Sequence, residues 1–307
     1  MDSIVGSFLF LRRSLPSIVY PHIYFDNSVK ALYPVDSLSG KDSGEMKILF
    51  INGSPRKGGN TARLLTLLGR ELDKQAGTQG SSLTIERCDL AARSIAPCRG
   101  CRVCFDRGED TCPQKDDIPK IYRMMQNADL IAAASPVYVD DVSGAMKNMI
   151  DRLAYLCHRP GLAGKGAYLL TTTGTTPSPH ALGAMAMAFR TWGARVLGQA
   201  SFVTGALMDT EDMEVKYHKK IEKTARRILK AMTTGKAAGA SLISLIFFHI
   251  QRKSCLRNPD DSLDYQYWTN QGWLSKGRDD YIPRRAGFLK RAAARAIGAI
   301  IALFVLK

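Results

Sequence analysis

The sequence predicts an α/β fold, a doubly wound five-stranded parallel sheet with a mainly helical C-terminal extension. Three observations lead there. Strand-like and helix-like segments alternate from residue 46 to residue 232, loops rich in Gly, Ser, Pro and Thr follow the strands, and the alternation stops beyond Gly235. Parallel strands need crossover connections, and helices used as crossovers cover both faces of the sheet.

The first predicted strand spans 47–52 and is followed by a helix over 61–75, a strand over 83–89 and a helix over 117–127. A third strand, 130–135, leads into a helix over 142–156, whose residues Val142, Ala145, Met146, Met149, Ile150 and Leu153 repeat at the spacing of one helical face. That pattern makes the methionines core residues rather than metal ligands. A strand over 167–172, a helix over 180–192, a strand over 196–203 and a helix over 212–232 complete the alternation. Residues 1–45 show no clear periodicity, so the folded domain is expected to start at Met46, with a poorly ordered extension ahead of it. No signal peptide is expected, because Arg12 and Arg13 follow the N-terminal apolar run. Nor does any stretch reach the roughly 18 unbroken apolar residues of a membrane span.

At 307 residues and 45 % hydrophobic content the chain can bury a substantial core, which excludes a disordered protein. A net charge of +15 suits phosphorylated small molecules, an anionic membrane face or nucleic acid, but no nucleic-acid motif accompanies it and no such partner is expected. The distribution is uneven. Residues 231–307 hold 12 Lys or Arg against 5 Asp, so 7 of the 15 excess positive charges are C-terminal. Seven cysteines, an odd number and mostly clustered, fit a reducing, cytoplasmic setting better than a disulfide framework.

Four of those cysteines, Cys98, Cys101, Cys104 and Cys112, form a C-x2-C-x2-C-x7-C cluster. Two-residue gaps let successive thiolates curl round one centre, as in chains that hold iron-sulfur cubanes. A zinc site or unligated thiols are the other readings, although structural zinc usually pairs its C-x2-4-C units across a longer gap. Cys88, Cys157 and Cys255 are isolated and are expected to be small buried or half-buried side chains rather than ligands, and the five histidines show no metal-binding spacing.

The loop from Asn52 to Thr61 follows the first strand and opens the first helix. Its glycines let the backbone approach an anion, the helix start offers N–H groups, and Ser54, Asn60 and Thr61 add donors beside the charge of Arg56. It is neither a G-x-G-x-x-G fingerprint nor a P-loop. The third strand runs into Ser135-Pro136-Val137-Tyr138 and the fourth into Thr171-Thr172-Thr173-Gly174. All three loops lie at carboxyl ends, where an open parallel sheet binds its ligands.

Together, Gly53-Ser54-Pro55-Arg56 with Asn60-Thr61, the cysteine loop running into Asp116-Asp117-Ile118, Ser135 to Tyr138, and Lys147 to Asp151-Arg152 resemble the NADPH-dependent FMN reductase family. Within it, the cysteine motif looks like that of the iron-sulfur flavoproteins. The resemblance implies a flavodoxin-like FMN-binding domain over 46–234, with the cysteine loop at 97–113 and a basic, apolar extension over 235–307. It also implies FMN phosphate on Ser54, Arg56, Asn60 and Thr61, and the isoalloxazine ring flanked by Pro136, Val137, Tyr138, Thr173 and Gly174. Cys98, Cys101, Cys104 and Cys112 would hold a [4Fe-4S] cluster. NAD(P)H or a ferredoxin would be the electron donor to an oxidoreductase whose hydride step needs no acid or base side chain, and the chain would assemble as a homo-oligomer with the cysteine loop near a neighbouring flavin. An FMN-binding electron carrier or redox sensor, or a zinc-stabilised flavin module, are the alternatives. The tail from Arg284 to Arg291 and the apolar run 296–306 are expected either to touch an anionic membrane surface or to dock on the protein itself, with 242–250 as packing partner.

Overall fold

Continuous apolar runs in the central strands demand cover on both sides, and the computed structural model shows how the chain supplies it. It describes residues 45–206, 208–233, 241–257, 259, 262–282 and 286–305. The N-terminal extension expected over 1–45 lies outside these apart from Glu45, as do Arg284 and Arg285 of the tail. Five parallel strands, β1 (Glu45–Asn52), β2 (Ser82–Asp89), β3 (Leu130–Tyr138), β5 (Gly166–Thr173) and β6 (Arg195–Val203), run in the order β2-β1-β3-β5-β6. Counted among themselves they give the flavodoxin order, which places the switch point between β1 and β3.

Successive residues of the central strands feed opposite cores. Leu49, Ile51, Ile131 and Ala133 pack beneath helices α3 (Ile118–Asn127), α4 (Gly144–Arg152) and α5 (Pro179–Thr191), while Ile48, Phe50, Leu130 and Ala132 pack beneath α1 (Asn60–Thr78) and α6 (Thr210–Thr233). Met146 and Met149 are fully buried in the first of these cores, as their spacing predicts.

One region departs from the expected pattern. The spacing predicts Val142 on a helical face, but it belongs to a sixth, two-residue strand, β4 (Asp141–Val142), paired antiparallel to the end of β3. The helix starts later because Ser143 caps it, its Oγ accepting a hydrogen bond from the Met146 N–H at 3.2 Å. It ends at Arg152, and a separate 3-10 turn follows over Ala154–Cys157.

The C-terminal extension is helical: α7 (Leu242–Arg257), α8 (Leu263–Asn270) and α9 (Phe288–Val305) follow the short α2 (Val103–Asp106) of the cysteine loop in the numbering used here. Phe248, Tyr267, Trp268, Trp273 and Tyr281 build a third, aromatic core. Helix α9 packs along α7, so the expectation that 242–250 supports the tail holds. Among the described residues no helix is long and apolar enough to cross a membrane.

Candidate functional site

The predicted anion loop is assembled by hydrogen bonds that begin at the last residue of β1. Asn52 donates to Asp89 at 2.7 Å and accepts the Ser54 N–H at 3.0 Å, and the Ser54 hydroxyl accepts the Arg56 N–H at 3.2 Å. These bonds curl the chain back over the sheet and leave Arg56 and Lys57 exposed. A Cβ on Gly59 would lie 3.1 Å from Cβ of Arg56 and 3.2 Å from Oγ of Ser54, so the turn favours glycine there. Helix α1 begins with no side-chain cap and no acidic residue in its first turn, which leaves N–H groups and the positive end of its dipole facing the loop.

Neighbouring strands bring the other predicted residues to the same edge. Pro136 lies opposite Thr172 in the β3–β5 register, and the Thr61 and Thr172 hydroxyls meet at 2.7 Å. Tyr138 is 41 % exposed at the strand end, whereas Thr173 is buried and its Oγ1 has no hydrogen-bond partner. A buried orphan hydroxyl costs roughly 1–3 kcal/mol, so its presence at this edge fits a ligand that supplies the missing bond. Asn60 also braces this edge. Its amide donates to the Thr204 hydroxyl at 2.9 Å and the Gly205 carbonyl at 3.1 Å, tying the loop to the end of β6.

Beyond Tyr138 the chain reverses through Val139 and Asp140, at φ +49° and +60°. Both central residues of this two-residue hairpin are left-handed, and Val139 is fully exposed, so nothing about its side chain rewards the strain. The Asp140 carbonyl accepts from Ser178 at 2.9 Å, which also caps α5.

The four clustered cysteines line one cavity of about 1550 Å³. Left-handed residues Gly100 and Arg102, at φ +65° and +63°, wind the C-x2-C-x2-C segment. Cys98 and Cys101 are exposed and Cys104 and Cys112 half-buried. Among the described residues no three His, Cys, Asp or Glu side chains converge closely enough to grip a metal ion. The donor set nevertheless suits a thiophilic centre: four thiols share a cavity, and the Arg152 guanidinium donates to Cys112 Sγ at 3.6 Å. Burial, with the adjacent Cys112 and Cys98 sulfurs, pushes the Cys104 thiol up.

Two buried arginines hold this loop, and the sequence alone gives neither a role. Arg152 pairs with Asp116 and donates to the carbonyls of Ala96 at 2.9 Å and Gln114 at 3.3 Å, joining the loop's two ends. Burial alone would raise the Asp116 carboxyl, but the hydrogen bonds from Arg152, Ala96 N–H and Ile118 N–H outweigh it and hold it low. Arg159 bonds the Cys104 carbonyl at 2.5 Å, Glu109 at 3.1 Å and Asp264 of α8 at 2.5 Å. Asp264 also meets His158 at 2.7 Å, and Trp268 donates to the His158 carbonyl at 2.8 Å. The C-terminal extension therefore clasps the cysteine loop. Sequence spacing carried the quartet of cysteines, but no local signal links Arg159 to an aspartate 105 residues away.

Helix α4 joins the two halves of the site. At its start the Ser143 hydroxyl donates to the Gly53 carbonyl at 2.6 Å, and at its end Arg152 grips the cysteine loop.

Comparison with known proteins agrees with this layout. Residues 46–208 match the family model described as NADPH-dependent FMN reductase. An iron-sulfur flavoprotein of Archaeoglobus fulgidus is 29 % identical over 244 residues, 75 % of this chain and 100 % of that protein. A second from the same organism is 42 % identical over 107 residues, 35 % of this chain and 48 % of that protein, and one from Clostridioides difficile is 27 % identical over 184 residues, 60 % of this chain and 78 % of its own. With its five-strand parallel order, its glycine-rich loop at the switch point and a family match over more than half its length, this chain belongs to the NADPH-dependent FMN reductase family of flavodoxin-like oxidoreductases.

Proposed function

We propose that the chain is an FMN-dependent oxidoreductase of the iron-sulfur type, with NAD(P)H or a ferredoxin as electron donor and a [4Fe-4S] cluster on Cys98, Cys101, Cys104 and Cys112. When bound, FMN takes up an electron pair and can release electrons singly, and a cluster carries one electron at a time. Ser54, Arg56, Asn60, Thr61 and the first-turn N–H groups of α1 bind the phosphate, and the Asn60 side chain also fixes the loop on which they sit. Pro136, Val137 and Tyr138 flank one side of the ring; Gly174 allows close approach, and the Thr173 hydroxyl meets a polar edge. Arg152 donates to Cys112 Sγ and holds that sulfur in position, and Asp116 keeps the guanidinium in place. A homo-oligomer with the cysteine loop near a neighbouring flavin belongs to the same reading.

The observation that carries it is the bridging role of α4. Nine residues long, it fixes the anion loop and the four-thiol cavity at a separation on the order of 13 Å along its axis. Anaerobically purified protein is the test, with its visible spectrum, iron, sulfide and zinc measured on one sample. Flavin bands with a dithionite-bleached shoulder near roughly 400 nm and about four irons per chain are expected. Flavin without iron reduces the reading to a plain FMN reductase, zinc in place of iron overturns the cluster, and absence of flavin overturns the whole.

A further inference from the structure

Helix α9 is built the wrong way round for a helix on a water-facing surface. Its small residues Ala294, Gly298 and Ala302 are buried, and a Cβ on Gly298 would lie 2.8 Å from Cβ of His249 on α7. Its large apolar residues point away from the protein: Leu289 is 82 % exposed, Ile300 55 %, Leu303 56 % and Phe304 73 %. Ala293 and Ala296 fall between them at helical spacing, so the exposed residues form one stripe. The described residues leave this stripe uncovered, although contiguous apolar patches beyond a few hundred Å² are rare on soluble monomers.

The rim of the stripe is cationic. At about 100° per residue, Lys290 and Arg295 fall on opposite flanks of the line through Leu289 and Ile300. Arg295 and, from the packed side of the helix, Arg291 both reach Asp279, at 2.5 and 3.6 Å, so one carboxylate serves two guanidinium groups and the helix keeps a net positive charge. No Asp or Glu occurs between Phe288 and Val305. The helix is not apolar enough to span a bilayer, but an apolar stripe between basic flanks matches a helix that lies in the plane of an anionic one.

We propose that the outward face of α9 docks this protein on an anionic lipid surface, with Leu289, Ile300, Leu303 and Phe304 at the acyl boundary and the flanking Lys290 and Arg295 toward the lipid phosphates. A second copy of the chain fits the face less well, because α9 offers no acidic group to its partner's basic rim.

The test is flotation of the purified full chain, cofactors as isolated, with phosphatidylcholine vesicles containing about one third phosphatidylglycerol and with phosphatidylcholine alone. Binding to the anionic vesicles is expected, weakening with salt and with Lys290→Gln. The pair Ile300→Ser and Phe304→Ser, both on exposed side chains, should lower it roughly tenfold or more without changing the circular dichroism or elution volume. No flotation of the native chain overturns the proposal, as does undiminished flotation of the double variant, which would assign binding to overall charge. An oligomer that the double variant dissociates would make the face a subunit interface and equally overturn it. Should the double variant fail to fold, the salt and Lys290→Gln measurements decide.

Discussion

At the scale of single residues, the site is defined as much by unmet bonds as by made ones. Thr173 Oγ1 is buried without a partner, so Thr173→Val should stabilise the flavin-free protein slightly while weakening FMN binding by about 0.5–1.5 kcal/mol, roughly two- to tenfold in Kd. Titration of FMN into the apoprotein checks this, and unchanged affinity would remove Thr173 from the ring site. The cysteines separate in the same way. Cys98 and Cys101 are exposed, whereas Cys88 is fully buried and burial pushes the Cys255 thiol up to about 12. In metal-stripped protein, mass spectrometry after brief iodoacetamide treatment should find Cys98 and Cys101 modified first and Cys88 and Cys255 only on unfolding. Early modification of Cys255 would mean that the extension opens readily.

Among the elements, the β3–β4 hairpin is where local preference and native geometry conflict. A valine at φ +49° sits in a conformation that β-branched residues avoid, while asparagine is favoured in such turns. Val139→Asn should therefore stabilise the protein by about 1 kcal/mol, a rise in Tm of about 2–4 °C, read by thermal denaturation. A gain in stability accompanied by loss of flavin affinity would show that the strained turn shapes the ring site, and no gain would mean that the turn relaxes at no cost. The same hairpin explains the misplaced helix start. Apolar spacing ran unbroken through Val142, but pairing with Val137 and the cap at Ser143 claim those residues first, and both depend on chain that folds back from elsewhere.

For the whole molecule, the decisive contact is the clasp of the extension on the cysteine loop. Burial alone would raise the Asp264 carboxyl, yet His158 and Arg159 overcome that and hold it below the ordinary value. Asp279, held low chiefly by its hydrogen bond from Arg295, behaves alike within the extension. A carboxyl lowered on folding adds stability that is present above the unfolded value of about 3.9 and is lost as pH falls through the folded one. Acid below about pH 4 should thus release the extension, shifting the emission of Trp268 and Trp273 to the red, and Asp264→Asn should produce that shift at neutral pH. Emission constant down to pH 2 in the native chain would show that the aromatic core, not the ion pairs, holds the extension.

The sequence by itself determined the order of the five parallel strands and the helices between them, the loops at the carboxyl ends, the cysteine quartet and the family, because periodicity and motif spacing are local properties of the chain. Only the tertiary structure decided that Asn60 braces β6, that Arg152 and Arg159 hold the cysteine loop, and that α9 turns its large apolar residues outward. Those facts rest on pairs up to 145 residues apart and on which face of a helix finds a neighbour, and neither is written in any short stretch of residues.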